Sequence, residues 1–284
     1  MATKISTMLA QLFPELRYQP TRKRIRASLG TAAVLDSTRA VLFWEPKRVV
    51  PGYAVPAEDV AASLAPTTAP DAAPGGALGG AGGTAGPDPH QRPVLPPDVP
   101  FPVHSTDGES LDVTAGGVTA RQAAFRPADP ELSGYIAFDF AAFSWLEEDE
   151  PIMSHPRDPF HRVDMRRSSR NVQISADGRI LAESDHPTLV FETNLPTRLY
   201  LPRDDVTWSA LRPTASITTC AYKGQASYWA LAAVDSTERR DVAWTYTEPL
   251  QDSGQLAGLI AFFDERVDVR VDGVAQERPR TPWS

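Results

Sequence analysis

Ala182-Glu183-Ser184, followed by Leu189-Val190-Phe191-Glu192, repeats an earlier stretch of the chain, Leu35-Asp36-Ser37 followed by Leu42-Phe43-Trp44-Glu45. In both places the glutamate comes eight residues after the serine. The register continues outward. Pro56-Ala57-Glu58-Asp59-Val60 is answered by Pro202-Arg203-Asp204-Asp205-Val206, and Gly134-Tyr135-Ile136-Ala137-Phe138 by Gly258-Leu259-Ile260-Ala261-Phe262. Self-similarity kept in one order over such a span means that the chain folds twice into one kind of unit. The matching stretches are short, β-branched or aromatic, and bounded by Gly, Pro and Asp, which is the chemistry of strands and turns. The expected fold class is mainly β: two tandem compact β-rich domains, a repeat of one fold, with a few short helices.

The expected organisation follows from the local signals. Residues 1–18 hold an N-terminal helix whose Ile5, Met8, Leu9 and Leu12 share one face, pack on the first domain, and stop at Pro14. Residues 19–146 form the first β domain. Within it, Ala65 to Val94 reads as a disordered insertion, because Ala, Pro, Gly and Thr dominate and cannot repay the entropy of ordering. The acidic run Glu147-Glu148-Asp149-Glu150 reads as a solvated turn. Residues 147–169 are an interdomain connector, 170–276 the second β domain, and 277–284 a tail. Asp177-Gly178 and Asp272-Gly273 mark hairpin turns, and Asp204 or Asp205 a helix cap.

Composition narrows the function classes. The chain has 284 residues, 42% of them hydrophobic, so a sizeable core is within reach. A net charge of −8 lacks the basic footprint that phosphate contacts require, so no nucleic-acid partner is expected. No apolar run reaches the roughly 18 residues of a membrane span, and the first residues lack the pattern of a signal peptide. A soluble cytoplasmic protein without a membrane partner is the default. The glycines of Gly75 to Gly86 lead to no Gly-Lys-Ser/Thr, so no nucleotide cofactor is expected. Two histidines and two aspartates lie close together in the stretch Ser154 to Asp164, but Pro156 and Pro159 keep them off a helix. An ordered connector, or a pocket wall including His155 and His161, is favoured there over a metal site.

The most chemically loaded segment is Thr219-Cys220-Ala221-Tyr222-Lys223-Gly224, which holds the single cysteine. A turn across it brings thiol and ammonium together, and Gly224 favours the bend. A free thiol is only about 3% thiolate at pH 7, and one unit of depression raises that to roughly 25%. Cys220, Lys223 and Tyr222 are therefore the candidate catalytic residues. Tyr228 and Trp244 are candidate pocket walls, and Glu192 a candidate acid or base beside them. A lone cysteine also serves commonly as a small apolar filler, so a noncatalytic binding or scaffold role stays open. Gapped on the glycine, His104-Ser105-Thr106-Asp107-Gly108 is the first-half counterpart, with His104 standing for Cys220 and Asp107 for Lys223. His104, His155 and His161 are the histidines expected to contribute to a site. The expected partner is a small molecule, its identity open.

Four stretches together resemble a known family: Tyr200-x-Pro202-x-Asp204-Asp205-Val206, Thr219-Cys220-x-Tyr222-Lys223-Gly224-x-Ala226-x-Tyr228, Trp244-x-Tyr246-x-x-Pro249 and Gly258-x-Ile260-Ala261-Phe262. The family is domain of unknown function 427, also catalogued as nucleotidyltransferase-like. The resemblance is close over Asn171 to Val271. It is partial over Arg24 to Phe143, where Cys and Lys are replaced and the insertion intervenes, which implies two tandem copies with the first degenerate. It implies a compact, mainly β fold and brings no established activity. The second label implies phosphate chemistry, for which the sequence offers neither a paired-aspartate metal motif nor a glycine-rich nucleotide loop.

Overall fold

The computed structural model describes residues 2, 4–68, 94–232 and 240–279. The chain divides into two units, Met1–Asp158 and Pro159–Ser284. In the first, a helix α1 (Ile5–Ala10) precedes strands β1 (Arg17–Pro20), β2 (Ile25–Leu29), β3 (Ala32–Ser37), β4 (Val41–Trp44), β5 (Gly52–Pro56) and β6 (Ser63–Pro66). Then come β7 (Gly108–Ala115), β8 (Val118–Pro127), β9 (Tyr135–Phe138), β10 (Ser144–Glu147) and β11 (Glu150–Pro151). The second unit holds β12 (Val163–Arg167), β13 (Val172–Ala176), β14 (Arg179–Ser184), β15 (Thr188–Glu192), β16 (Arg198–Pro202) and β17 (Leu211–Cys220). It ends with β18 (Gly224–Leu231), β19 (Asp241–Pro249), β20 (Leu259–Phe262), β21 (Asp268–Val271) and β22 (Val274–Ala275).

Each unit is a 7-stranded antiparallel sheet packed on a 4-stranded one. The large sheets run β1-β4-β5-β9-β8-β7-β6 and β12-β15-β16-β20-β19-β18-β17, which is one topology written twice. The small sheets, β3-β2-β10-β11 and β14-β13-β21-β22, repeat one order as well, each made of two strands from the start of its unit and two from the end. The glycine register of the repeat holds as well: Gly108 opens β7 opposite Pro127, and Gly224 opens β18 opposite Pro249.

Alternation along the strands sends side chains to two faces. The inner face of each large sheet meets the small sheet. In the first unit, Leu42, Trp44, Tyr53, Val55, Ile136 and Phe138 pack there with Ile25, Val34 and Trp145. In the second, Leu199, Leu201, Ile260 and Phe262 pack with Val172, Ile174 and Val269. The outer face carries a second, smaller core: Val41, Phe43, Ala54 and Phe125 in one unit, Val190, Tyr200, Trp244 and Tyr246 in the other. This explains why β4 is buried along its whole length without alternating.

Several local expectations are corrected. α1 is too short to present an apolar stripe, and its Ile5 and Met8, with Leu12 beyond it, are exposed; the side chain of Leu9 is outside the described residues. The chain is anchored after the helix instead, by Leu16 against the outer core and by Arg17, which donates to the Arg48 carbonyl at 2.7 Å. The acidic run is the expected solvated turn at Glu148-Asp149-Glu150, all exposed at the tip of the β10–β11 hairpin; only Glu147 departs, accepting hydrogen bonds from the buried Tyr53 hydroxyl and from Lys23. Ordered backbone also continues past Ala65: Pro66 pairs with Leu111, and the Thr67 amide donates to Ser110 at 3.0 Å. The rest of the expected insertion, residues 69–93, lies outside the described residues, and Val94 is ordered. β11 and β12 both fall within the stretch read as connector, because each completes a sheet of its own unit. Asp204 and Asp205 sit inside a single turn whose cap position is Pro202, with no side-chain cap.

Gly108 shows how tightly the repeat's glycine is held. A Cβ there would lie 2.3 Å from the Phe125 ring and 2.4 Å from the Arg126 carbonyl oxygen. Gly108→Ala is expected to destabilise the first unit by about 3 kcal/mol through overpacking. Gly52→Ala, whose nearest neighbour would be the Phe138 carbonyl at 3.8 Å, is expected to stay within about 0.5 kcal/mol. Urea denaturation followed by tryptophan fluorescence checks both.

Candidate functional site

Strand pairing sorts the candidate residues of the second unit by face. Val190 lies opposite Arg198, Tyr200 opposite Ala261, Ala261 opposite Trp244, and Trp244 opposite Tyr228. Tyr246 is opposite Ala226, Ala226 opposite Thr218, and Gly224 opposite Cys220. Residues directly opposite share a face, as do residues two apart. Glu192, Arg198, Tyr200, Thr218, Cys220, Tyr228, Trp244 and Tyr246 therefore all belong to the outer face.

The charged centre of that face is Glu192. Its carboxylate pairs with the Lys223 ammonium and stands 3.0 Å from Nε2 of His161. Only 6% of the Glu192 side chain and 9% of that of Lys223 are exposed. Burial pushes the Glu192 carboxyl upward, but the His161 hydrogen bond and the Lys223 charge outweigh it, and the net direction is down. The His161 ring stacks on Tyr222, centroids 4.4 Å apart. The turn itself is pinned from below: Ser253 Oγ donates to the Tyr222 carbonyl at 3.0 Å, and the Leu250 amide to that of Lys223 at 3.2 Å. Gly224 adopts φ +98, a conformation that L side chains rarely take.

In the large sheet, β15 and β18 are separated by β16, β20 and β19. Glu192 ends β15, and Lys223 precedes β18. An ion pair between them requires the sheet to curl until the β17–β18 turn comes back over the outer face. The curl puts half-buried Cys220 among hydroxyls, within electrostatic reach of Tyr200, Tyr228 and Tyr246. Tyr200 accepts from Trp244 Nε1 at 3.0 Å, and Tyr228 meets the Thr218 hydroxyl. Burial raises all three phenols above their ordinary value. They are therefore neutral hydroxyl groups at pH 7.

Farther along the same face, Arg198 holds Glu265 with both Nη atoms, at 2.9 and 2.6 Å, and lies 5.7 Å over the Trp244 ring. Asp264 stands 3.9 Å from that guanidinium, and burial pushes its carboxyl up to about 6. Arg198, Asp264 and Glu265 carried no signal in the sequence beyond the parity Arg198 shares with Tyr200. Tyr200 and Tyr246 stood in the family-like motifs, but their hydroxyls reach Cys220 only through the curl.

Residues 164–273 match the family described as Domain of unknown function (DUF427). This span carries a DUF427 domain. It covers β12 through β21, and so Glu192, Lys223, Cys220 and the three tyrosines, while His161 precedes it. No curated protein matches the chain.

His104 and His155 belong to the first unit, outside the DUF427 domain. There Glu45 occupies the place of Glu192. It stands 3.0 Å from Nδ1 of His104, accepts from the Ser105 amide at 2.7 Å, and lies 3.7 Å from Arg48 Nε. His104 stacks on Phe125 at 3.8 Å. The glycine register set His104 against Cys220, yet its contact is the one that Lys223 makes in the DUF427 domain. Asp107, set against Lys223, only presents its carbonyl to the Ala128 amide at 2.9 Å. Among the described residues, no group of three or more His, Cys, Asp and Glu is gathered that could hold a metal ion.

Glu192→Gln strands a buried ammonium and is expected to lower stability by about 3 kcal/mol. Glu192→Gln combined with Lys223→Met should restore most of the loss, and a urea double-mutant cycle measures the coupling. Because the Glu192 carboxyl is lowered in the folded state, its contribution is present above its ordinary value of 4.5 and fades as pH falls below it. Asp264 has the opposite sign: its carboxyl is raised, so its own contribution to stability is lost as pH rises from 3.8 through about 6. Asp264→Asn is therefore expected to stabilise the protein at pH 7 relative to wild type and to lose that advantage at pH 4, read from urea midpoints.

Proposed function

We propose that the DUF427 domain binds a small organic molecule on its outer face, over the Cys220-Ala221-Tyr222-Lys223 turn, with Cys220 as the group that reacts or makes closest contact. One observation carries this reading: a buried Glu192–Lys223–His161 charge group adjoins the chain's single thiol and three neutral phenols on one sheet face. The half-buried Tyr228 supplies a hydroxyl for a ligand's oxygen atoms and Tyr222 a flat apolar wall, over a floor of buried Tyr200, Trp244 and Tyr246.

A second reading has its own support. Glu45 makes the same kind of tie in the first unit with neither a cysteine nor a lysine. On this reading the glutamate centre is a structural staple, and the domain is a noncatalytic binding or scaffold module.

Alkylation by iodoacetamide between pH 6 and 9 separates the two. A reactive site is expected to modify quickly below pH 7.5 in the native protein and more slowly in Lys223→Met. A Cys220 that stays inert until the protein is denatured in urea establishes the scaffold reading.

A further inference from the structure

The first unit contains a cleft of about 680 Å³ lined by Phe43, Glu45, Arg48, Gly52, Asp139 and a proline-rich wall over residues 97–102. That volume falls in the range of small-molecule sites. The internal repeat explains why the space is there. Phe43 pairs with Gly52 as Val190 pairs with Arg198, so Gly52 holds the position of Arg198. The Asp139 amide donates to the Ala123 carbonyl at 2.9 Å as the Phe263 amide donates to Val242 at 2.8 Å, so Asp139 holds the position of Phe263. In the DUF427 domain, Phe263 packs on Trp244 at 4.5 Å and the Arg198 guanidinium lies over the same ring. Where the second unit buries a cation and an aromatic ring, the first has a glycine and a carboxylate.

The charges around the cleft select its occupant. Arg48 is already engaged: Nη1 donates to Val99 at 3.1 Å, and Nη2 to Pro100 at 3.0 Å and Val103 at 2.7 Å, all backbone carbonyls. Its Nε faces Glu45. These bonds hold the proline wall in place, and the remaining Nε donor, buried without a hydrogen bond, is directed at the Glu45 carboxylate 3.7 Å away. Glu45 is likewise committed to His104 and the Ser105 amide. Asp139 accepts at one oxygen from the Ala141 amide at 2.9 Å, and Asp98 adds a further carboxylate to the lining. Arg48 also acts on Asp139, and His155 lines the same cleft. Glu45 offsets Arg48, so Asp139 and Asp98 leave the formal charge negative with a neutral imidazole, and Phe43, Phe101 and Phe140 give apolar walls. Prolines make the wall rigid, so little ordering is needed on binding.

We infer that this cleft binds a small organic cation, an amidinium, guanidinium or ammonium group on a flat apolar body, with Asp139 as its counter-ion. The ligand's head takes the place that the Arg198 guanidinium occupies in the second unit. The first unit is then a binding module in its own right.

Isothermal titration of the full chain with benzamidine, benzamide and benzoate at pH 7.5 tests this, since the three probes share a shape and differ in charge. Benzamidine is expected to bind, with benzamide and benzoate weaker by about ten-fold or more. Asp139→Asn should weaken benzamidine by about ten-fold. Gly52→Arg should abolish its binding by supplying the cation from within; a side chain can leave position 52 without a close contact. Should Gly52→Arg fail to fold by circular dichroism, Gly52→Leu fills the same room and is expected to block binding. Absence of benzamidine binding, benzoate binding as tightly as benzamidine, or affinity unchanged in Asp139→Asn and the position-52 variant would each overturn the inference.

Discussion

A buried glutamate at the end of the second strand of each large sheet sets the shape of both units. An ionised carboxylate out of water is tolerated only with partners. Glu192 finds one, His161, just before the neighbouring β12, and Glu45 finds none on a neighbouring strand. Both are also met by the segment that precedes the glycine strand, with three strands between in the sheet. The sheet therefore has to curl until that segment closes over the outer face. In one unit the tie is a lysine and a histidine; in the other it is a histidine and a backbone amide. The geometry is common to both, and the chemistry is not.

The curl creates a second face with its own packing, and there the two units diverge. The inner faces are alike because each must cover a 4-stranded sheet with apolar side chains. The outer faces have no such obligation. In the second unit Arg198, Tyr200 and Phe263 fill the face, and the thiol sits at its edge. In the first, Gly52, Ala54 and Asp139 hold the same positions, and a cleft opens. One scaffold thus carries a filled, thiol-bearing face in the second unit and an open one in the first.

Much of this was legible before any coordinates. The repeat needs only residue identity and order, so the mainly β class and the duplicated unit followed from it, as did the glycine register. Hairpins at Asp177-Gly178 and Asp272-Gly273 were legible because a tight turn is chosen by the residues within it. Readings based on local polarity fared worse. Glu147 looked solvated, yet Tyr53, distant in sequence, holds its carboxylate. Ile5, Met8 and Leu12 looked like a packing stripe, but a six-residue helix offers too little surface to bury.

The sequence by itself determined that the chain makes two copies of one strand-and-turn unit, and that the second keeps a thiol, a phenol and an amine in one short turn. Those are properties of neighbours along the chain. Which groups meet Glu192, that the lysine beside the cysteine is held by a carboxylate, that Arg198 and three tyrosines share its face, and that Gly52 opens a cleft were decided by the tertiary structure alone. Each depends on strand register and on the curl that a buried charge imposes, and both are set by contacts between residues far apart in sequence.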